Sequence, residues 1–355
     1  MNKKMTISLV SGLTLSAIAL YLAFKNVPVH ELIDYLASIN YFWIIPAVLV
    51  SLSSFALRAI RWQLILETAQ KVSFWEAFHP MMIGFMLNCI LPARVGEMAR
   101  PGILQKRDAL PFSTGLATVA AERLFDIIML VVLFTVLLST VQIDPALDIT
   151  FGNHHLNRKT LETVGRGMLN VCGILIFGII SVSFDKTRKF ITTAIMGIPS
   201  ILFFVGPESK KNISRWISIH PVGIIENFAD GFALVKNPKK IYICICLSLL
   251  IWSLQAFSFY IMSFGCPGIN LSFLEIAAVM IILSFFIALP SAPGFWGLWE
   301  AGGVFALSLF GVFLKDAAGF TLANHAIQIF PVIIIGLISA VITGINIWQV
   351  SYNNS

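Results

Sequence analysis

The sequence predicts an all-α fold, a polytopic transmembrane helical bundle of six full spans plus two broken or re-entrant hairpins, or up to eight spans, on three observations. Of the 355 residues, 57% are hydrophobic and 12% charged, against about 25% charged in an average soluble domain. The mean hydropathy is +0.86. The charges crowd into a few stretches and leave uncharged runs of the ~18–20 residues that a bilayer demands. An ordinary soluble enzyme is excluded. The net charge of +6 suits an anionic inner-leaflet surface better than nucleic acid, because the basic residues flank apolar spans instead of forming a solvated face. The five cysteines, at 89, 172, 244, 246 and 266, form no C-x-x-C pair. No disulfide framework, metal site or cofactor is therefore expected.

The elements follow in order. Residues 6–24 lie behind Lys3 and Lys4, are too long for a signal-peptide core and show no small-residue cleavage site, so they are expected to stay as the first span. Residues 29–40 place Leu32, Ile33, Leu36 and Ile39 at helical spacing, which predicts a short helix on the interface. Residues 41–57 form the second span, ending at Arg58 and Arg61. Residues 77–91 would reach only roughly 22 Å as a helix, short of a ~30 Å hydrocarbon core, so they are expected to dip in and return. Residues 115–141, 164–184, 241–264 and 326–350 are the remaining full spans. Residues 271–313 are apolar on both sides of a Pro/Gly break and contain no Lys or Arg. They form either a second re-entrant hairpin, entering from outside, or two full spans, with the same parity either way.

Charge counting supports the first hairpin. With residues 77–91 re-entrant, 19 of the 24 Lys and Arg fall inside, and Lys25, Arg158, Lys159, Arg166 and Lys315 fall outside. Both termini are then cytoplasmic, in a cytoplasmic (inner) membrane. The whole chain, 1–355, reads as one integral membrane domain. Residues 185–240, with nine Lys and Arg, read as a cytoplasmic amphipathic loop within it, too short for a catalytic domain.

Three constellations carry the polar chemistry. In Leu91-Pro92-Ala93-Arg94-Val95-Gly96-Glu97-Met98-Ala99-Arg100-Pro101, Pro92 and Pro101 break the helix and Gly96 permits close backbone approach. Arg94 and Arg100 each lie three residues from Glu97, so both guanidiniums are expected beside that carboxylate. Arginine presents a planar donor fork to phosphate oxygens; a plain cytoplasmic loop obeying the positive-inside rule would show the same arginines. In Glu122-Arg123-Leu124-Phe125-Asp126, Arg123 pairs with Asp126 at i,i+3, about one turn inside the inner boundary. The alternative there is an anchoring collar, but two of the three charges are acids, which an anionic leaflet disfavours. In Pro290-Ser291-Ala292-Pro293-Gly294-Phe295-Trp296-Gly297-Leu298-Trp299-Glu300, Glu300 is an isolated intramembrane acid. That is a functional-site hypothesis, with a hydrogen-bonded neutral acid as the bland alternative. Trp296 and Trp299 serve equally as interface anchors. The first and third constellations share an order of apolar run, Leu-Pro, Gly and Glu, which suggests an inverted repeat of broken helices of the kind transporters use.

Taken with Leu57-Arg58-Ala59-Ile60-Arg61-Trp62, these motifs stand in the same order as in the lysylphosphatidylglycerol synthase transmembrane-region family, which the chain resembles from about residue 8 to 347. That flippase-like domain forms the N-terminal part of the multiple peptide resistance factor and also occurs as a stand-alone membrane protein. The resemblance implies a translocase, flippase or scramblase, for a phosphate-bearing phospholipid or isoprenoid-linked lipid. It implies no aminoacyl transfer, since only residues 351–355 follow the last expected span. On this reading Arg61, Arg94, Arg100 and Arg123 meet the lipid phosphate. Glu97, Glu122, Asp126 and Glu300 order those cations or exchange protons, and Pro92, Gly96, Pro290, Pro293, Gly294 and Gly297 break the helices. The partners expected are membrane lipids, an anionic phospholipid or a polyprenyl-phosphate lipid, and no nucleic acid. No Walker A sequence supports direct ATP drive. His30, His154, His155, His220 and His325 are scattered, so neither a metal site nor an enzyme is expected. The other reading is a non-catalytic accessory subunit for a partner lipid-modifying synthase or glycosyltransferase.

Overall fold

The computed structural model describes residues 3–91, 94–141, 149–151, 154–156, 158–201, 215, 233–289 and 292–345. Pro92, Pro290 and most of the loop expected at 185–240 lie outside the described residues. Among the described residues the chain is all-α apart from one short antiparallel pair, Ile149–Phe151 with His154–Leu156. The helices are α1 (Lys3–Phe24), α2 (Val29–Ser38), α3 (Ile44–Leu66), α4 (Phe74–Ile90), α5 (Val95–Asp108) and α6 (Phe112–Thr140). After them come α7 (Arg158–Ser183), α8 (Asp185–Ile201), α9 (Pro238–Ser263), α10 (Phe273–Ala288), α11 (Leu298–Ser308) and α12 (Leu314–Thr343).

Among the described residues, four stretches are helical, long and apolar enough to cross a bilayer: Tyr41–Leu66, Phe112–Thr140, Pro238–Ser263 and Leu314–Thr343. A fifth crossing results if α1 and α2, bent by 79° at their junction, count as one span. Pro28, at the N-cap of α2, supplies the bend, since its ring disfavours helix in the residue before it. The apolar part of α7 among the described residues is Gly165–Gly178, shorter than 18 residues. The second span does not end at residue 57 as expected. Helix α3 runs on through Arg58 and Arg61, which are 7% and 0% exposed, because carboxylates on α6 meet them there.

The short helices α4 and α10 start in the same way. Ser73 and Ser272 accept from the backbone N–H groups of Glu76 and Glu275, whose carboxylates accept in return from the N-cap N–H groups. These are capping boxes, and the Ser73 N–H beside Glu76 holds its carboxyl below the usual carboxylate range. At the start of α8, hydrogen bonding from Lys236 likewise holds Asp185 low.

Packing relates the two halves of the bundle. Helix α3 lies on α9, α4 on α5, and α10 on α11. The short helix of each half also packs against the long helix that closes the other half: α4 against α12, and α10 against α6. Each half therefore completes the other, as an exchanged pair of α-hairpin units would.

Glycines set the approach inside the hairpins. A Cβ on Gly96 would strike the backbone carbonyl of Gly84, and one on Gly84 would strike Arg100. The amide of Gly96 donates to Asn88 Oδ1 at 2.8 Å. Substituting Gly96→Val is expected to separate α4 from α5 and cost about 1–3 kcal/mol, the usual range for overpacking. Gly167→Ala, where a Cβ meets no atom within 4 Å, is expected to stabilise slightly. Thermal unfolding of the detergent-solubilised protein separates the two outcomes.

Candidate functional site

Helices α3, α5 and α6 bring five arginines and three acids into one network of net charge +2. Helical spacing puts Arg58 and Arg61 on one face of α3, opposite Asp126. Arg58 Nη1 lies 3.3 Å from Asp126 Oδ2, and Arg61 Nη2 lies 2.8 Å from Asp126 Oδ1. Arg61 also reaches Glu122 at 3.5 Å and donates to Ser248 Oγ on α9 at 2.7 Å. Arg100 binds Glu122 directly, and its guanidinium lies 4.0 Å from the centroid of the Trp62 ring, a cation–π contact. Arg123 touches Glu122 at 3.0 Å, Asp126 at 3.4 Å and Glu97 at 3.8 Å.

Burial grades along the network. The side chains of Arg61 and Glu122 are fully buried, whereas Arg123 is 27%, Glu97 26% and Arg94 39% exposed. The buried members hold the outer ones in place, and the outer ones face a cavity of about 400 Å³. Arg58, Arg94, Glu97, Arg123 and Asp126 line it together with Asn88 and residues of α9, α10, α11 and α12.

Two expectations need correction. Arg100 does not flank Glu97; the close contact of α5 with α4 through Gly96 and Gly84 turns it toward α6, onto Glu122. Arg94, at φ 54° in the left-handed region, lies 3.8 Å from Glu97 and donates to the carbonyl of Ile287 at 2.6 Å. The acids of α6 are no anchoring collar, since both are buried and paired with arginines of other helices. The expected i,i+3 contact of Arg123 with Asp126 is present.

Glu300 is not isolated. His325 Nδ1 contacts its Oε1, while its Oε2 accepts from Gly297 N–H at 2.7 Å. His325 Nε2 lies 2.8 Å from the carbonyl of Gly294, so that nitrogen carries a proton and donates. One further proton then sits between Nδ1 and Oε1, and the pair is neutral overall whichever atom holds it. Trp299 stacks on His325 at 4.6 Å and 5° and is 6% exposed, so it is no interface anchor. Gly294 and Gly297 both have positive φ, at 69° and 87°, as expected for a break; Pro293 opens the short 3₁₀ turn that contains Gly294.

His325 was missed because nothing near it in the sequence marks it. A signal existed in the comparison of the halves: Ala121-Glu122-Arg123-Leu124-Phe125-Asp126 on α6 matches Ala323-Asn324-His325-Ala326-Ile327-Gln328 on α12 in place. Likewise Arg58 and Arg61 on α3 match Gln255 and Ser258 on α9, and the contacts match too. Gln255 and Gln328 are 2.7 Å apart, and Gln328 donates to Ser258 Oγ at 3.1 Å. Among the described residues no group of three His, Cys, Asp or Glu is arranged to hold a metal.

Asp126→Asn is expected to destabilise the protein by about 3–5 kcal/mol, because it strands buried arginines. Arg94→Ala is expected to cost under about 1 kcal/mol in ion pairing, as for a solvent-screened pair; thermal unfolding in detergent reads both. Glu300→Gln keeps an oxygen for Gly297 and offers an N–H to His325, so it is expected to fold with near-native stability. Glu300→Ala leaves the Gly297 amide without an acceptor and is expected to lose about 1–3 kcal/mol. Equal losses in the two Glu300 variants would overturn this account of the pair.

The glycosyltransferase AglD of Haloferax volcanii is 24% identical over 345 residues, which cover 91% of this chain and 52% of that protein. The chain thus spans about half the length of the curated relative it matches. The family described as lysylphosphatidylglycerol synthase TM region matches residues 9–336. Its match over most of the chain, with several apolar helices long enough to span a bilayer, identifies the chain as a membrane protein belonging to the lysylphosphatidylglycerol synthase TM region family.

Proposed function

We propose that the chain is a lipid translocase, a flippase or scramblase for a phospholipid or isoprenoid-linked lipid that carries a phosphate. One observation carries this reading: a net-cationic arginine network faces a cavity walled by all four membrane-capable helices and by both broken hairpins. An anionic head group crossing hydrocarbon needs a polar surface at membrane depth, and irregular backbone is tolerated there only where it is buried or lines such a cavity. Arg94 and Arg123, the most exposed cations, meet the phosphate, with Arg58 beside them. Arg61 and Arg100, buried behind, set their positions through Glu122 and Asp126. Glu97 orients Arg94 and Arg123, and the Glu300–His325 pair is the group suited to proton exchange.

The proposed topology has six crossings and two re-entrant hairpins in one integral domain, residues 1–355. Residues 185–240 form an amphipathic cytoplasmic loop, and both termini are cytoplasmic in the cell membrane. The hairpins enter from opposite sides, in keeping with the exchanged packing of α4 on α12 and α10 on α6. The translocation step breaks no covalent bond, so no catalytic residue or cofactor is assigned. A second reading, an accessory subunit for a partner lipid-modifying synthase or glycosyltransferase, is favoured by the name of the relative and by the half of its length that this chain spans.

Reconstitution in liposomes with fluorescent anionic and neutral phospholipids tests the choice. Faster translocation of the anionic lipid, reduced at least about tenfold by Arg123→Ala and by Glu97→Gln, is expected, a loss equivalent to one phosphate contact of roughly 1.4 kcal/mol. Absence of translocation, with lipid modification only when a partner enzyme is added, would favour the accessory reading. Chemical change of the lipid by the protein alone would overturn both.

A further inference from the structure

The last turn of α4 presents a neutral polar side chain to the cavity, that of Asn88. Its Oδ1 accepts from the backbone N–H of Gly96 at 2.8 Å. Gly96 is the second residue of α5, whose N-cap residue, Arg94, makes no side-chain capping bond. A helix start leaves its first N–H groups without partners inside the helix, so Asn88 caps α5 from the neighbouring helix. That bond also settles which way the amide faces. Only the oxygen of an Asn side chain accepts, and turning the amide over would set two donors against each other. Nδ2 is therefore directed away from Gly96. Among the described residues it meets no acceptor, and it keeps accessible surface, unlike the buried unmet donors of Asn324, Trp252 and Trp299.

The surroundings of that donor are largely cationic. Arg94 and Glu97 stand at the start of α5 that Asn88 caps, and both line the cavity. Phe85, three residues before Asn88 and so on the same face of α4, lines it too, and the Arg123 guanidinium lies 5.7 Å from the centroid of its ring. The positive end of the α5 dipole adds to the same region. An atom bound here has to accept hydrogen bonds among cations, as a phosphate oxygen does. Asn88 follows the capping Ser73, and Ile287 follows the capping Ser272, by the same interval. The second hairpin thus has an apolar side chain at the matching position, and there the carbonyl of Ile287 receives Arg94. The donor at this position belongs to the first hairpin.

We propose that Asn88 is a binding and positioning residue of the translocase: Oδ1 fixes the tip of the first hairpin, and Nδ2 donates to an oxygen of the bound phosphate beside Arg94 and Arg123. Because Oδ1 is tied, Nδ2 is held in place before the ligand arrives, which spares the cost of ordering it. This rests on the arginine network being a phosphate site.

Two substitutions separate the two atoms. Asn88→Asp keeps an oxygen for Gly96 and removes the donor; Asn88→Leu, of similar size, removes both. The purified full chain and each variant are titrated calorimetrically in detergent with inorganic phosphate and with dioctanoyl phosphatidic acid, and thermal unfolding of each is followed. Asn88→Asp is expected to unfold at the temperature of the unmodified chain and to bind both ligands at least about tenfold more weakly. Asn88→Leu is expected to unfold at a lower temperature and to bind as weakly. In protein carrying isotope-labelled asparagine, the side-chain amide resonance that Asn88→Asp removes is expected to shift when phosphate is added. Unchanged affinity in Asn88→Asp reduces Asn88 to a helix cap and overturns the proposal. So does a loss confined to Asn88→Asp, which assigns the effect to the added charge, and so does an amide resonance that phosphate leaves in place. Failure of the unmodified chain to bind either ligand overturns the phosphate reading and the role of Asn88 together. Binding of inorganic phosphate without the lipid leaves that role standing and overturns lipid transport.

Discussion

The structure depends on one electrostatic constraint: charge placed inside an apolar bundle has to be matched there, because removing an ion from water costs several kcal/mol before any partner repays it. Arg61 and Glu122 are both fully buried, and each serves several partners. The contacts span three helices and fix their relative rotation. Helix α3 cannot turn without drawing Arg58 and Arg61 off Asp126, and α5 cannot turn without drawing Arg100 off Glu122. The tight Gly84–Gly96 contact is what lets Arg100 reach that far. Arg94, Glu97 and Arg123, nearer the cavity, are thus mounted on a support whose buried ion pairs join the three helices.

The other half answers the same steric demand without ions. Gln255, Gln328 and Ser258, met by Ser51 and Ser54 of α3, fill the space with neutral hydrogen bonds, and Glu300 is paired with His325 and held by the break it belongs to. The two halves share an architecture and diverge in polarity. An anion in the cavity is therefore drawn toward one side only.

The class of fold and the break at Gly294 and Gly297 were legible in the sequence, because hydropathy and Pro/Gly placement are local properties; Gly96 and Pro101, expected to break a helix, instead lie within α5. So was the i,i+3 contact of Arg123 with Asp126, which one helix determines by itself. The contacts that make the site were not legible in the same way. Arg58 and Arg61 read as the end of a span because their partners lie on another helix more than sixty residues away. Arg100 stands at the right spacing for Glu97, yet tertiary packing gives it to Glu122. His325 looked like one of several scattered histidines until folding set it on Glu300. Long-range pairing was foreshadowed only by the matched spacing of the two halves, and the two Ser-x-x-Glu starts at Ser73 and Ser272 were the plainest mark of it.

Arg94 belongs to both hairpins at once. Its backbone turns the chain at the start of α5, and its side chain caps the carbonyl of Ile287 in the last turn of α10, where helical carbonyls lack partners of their own. A bound anion that recruits the whole guanidinium fork takes that cap away. Occupancy of the cavity by an anion and cohesion of the two hairpins are then alternatives competing for one side chain.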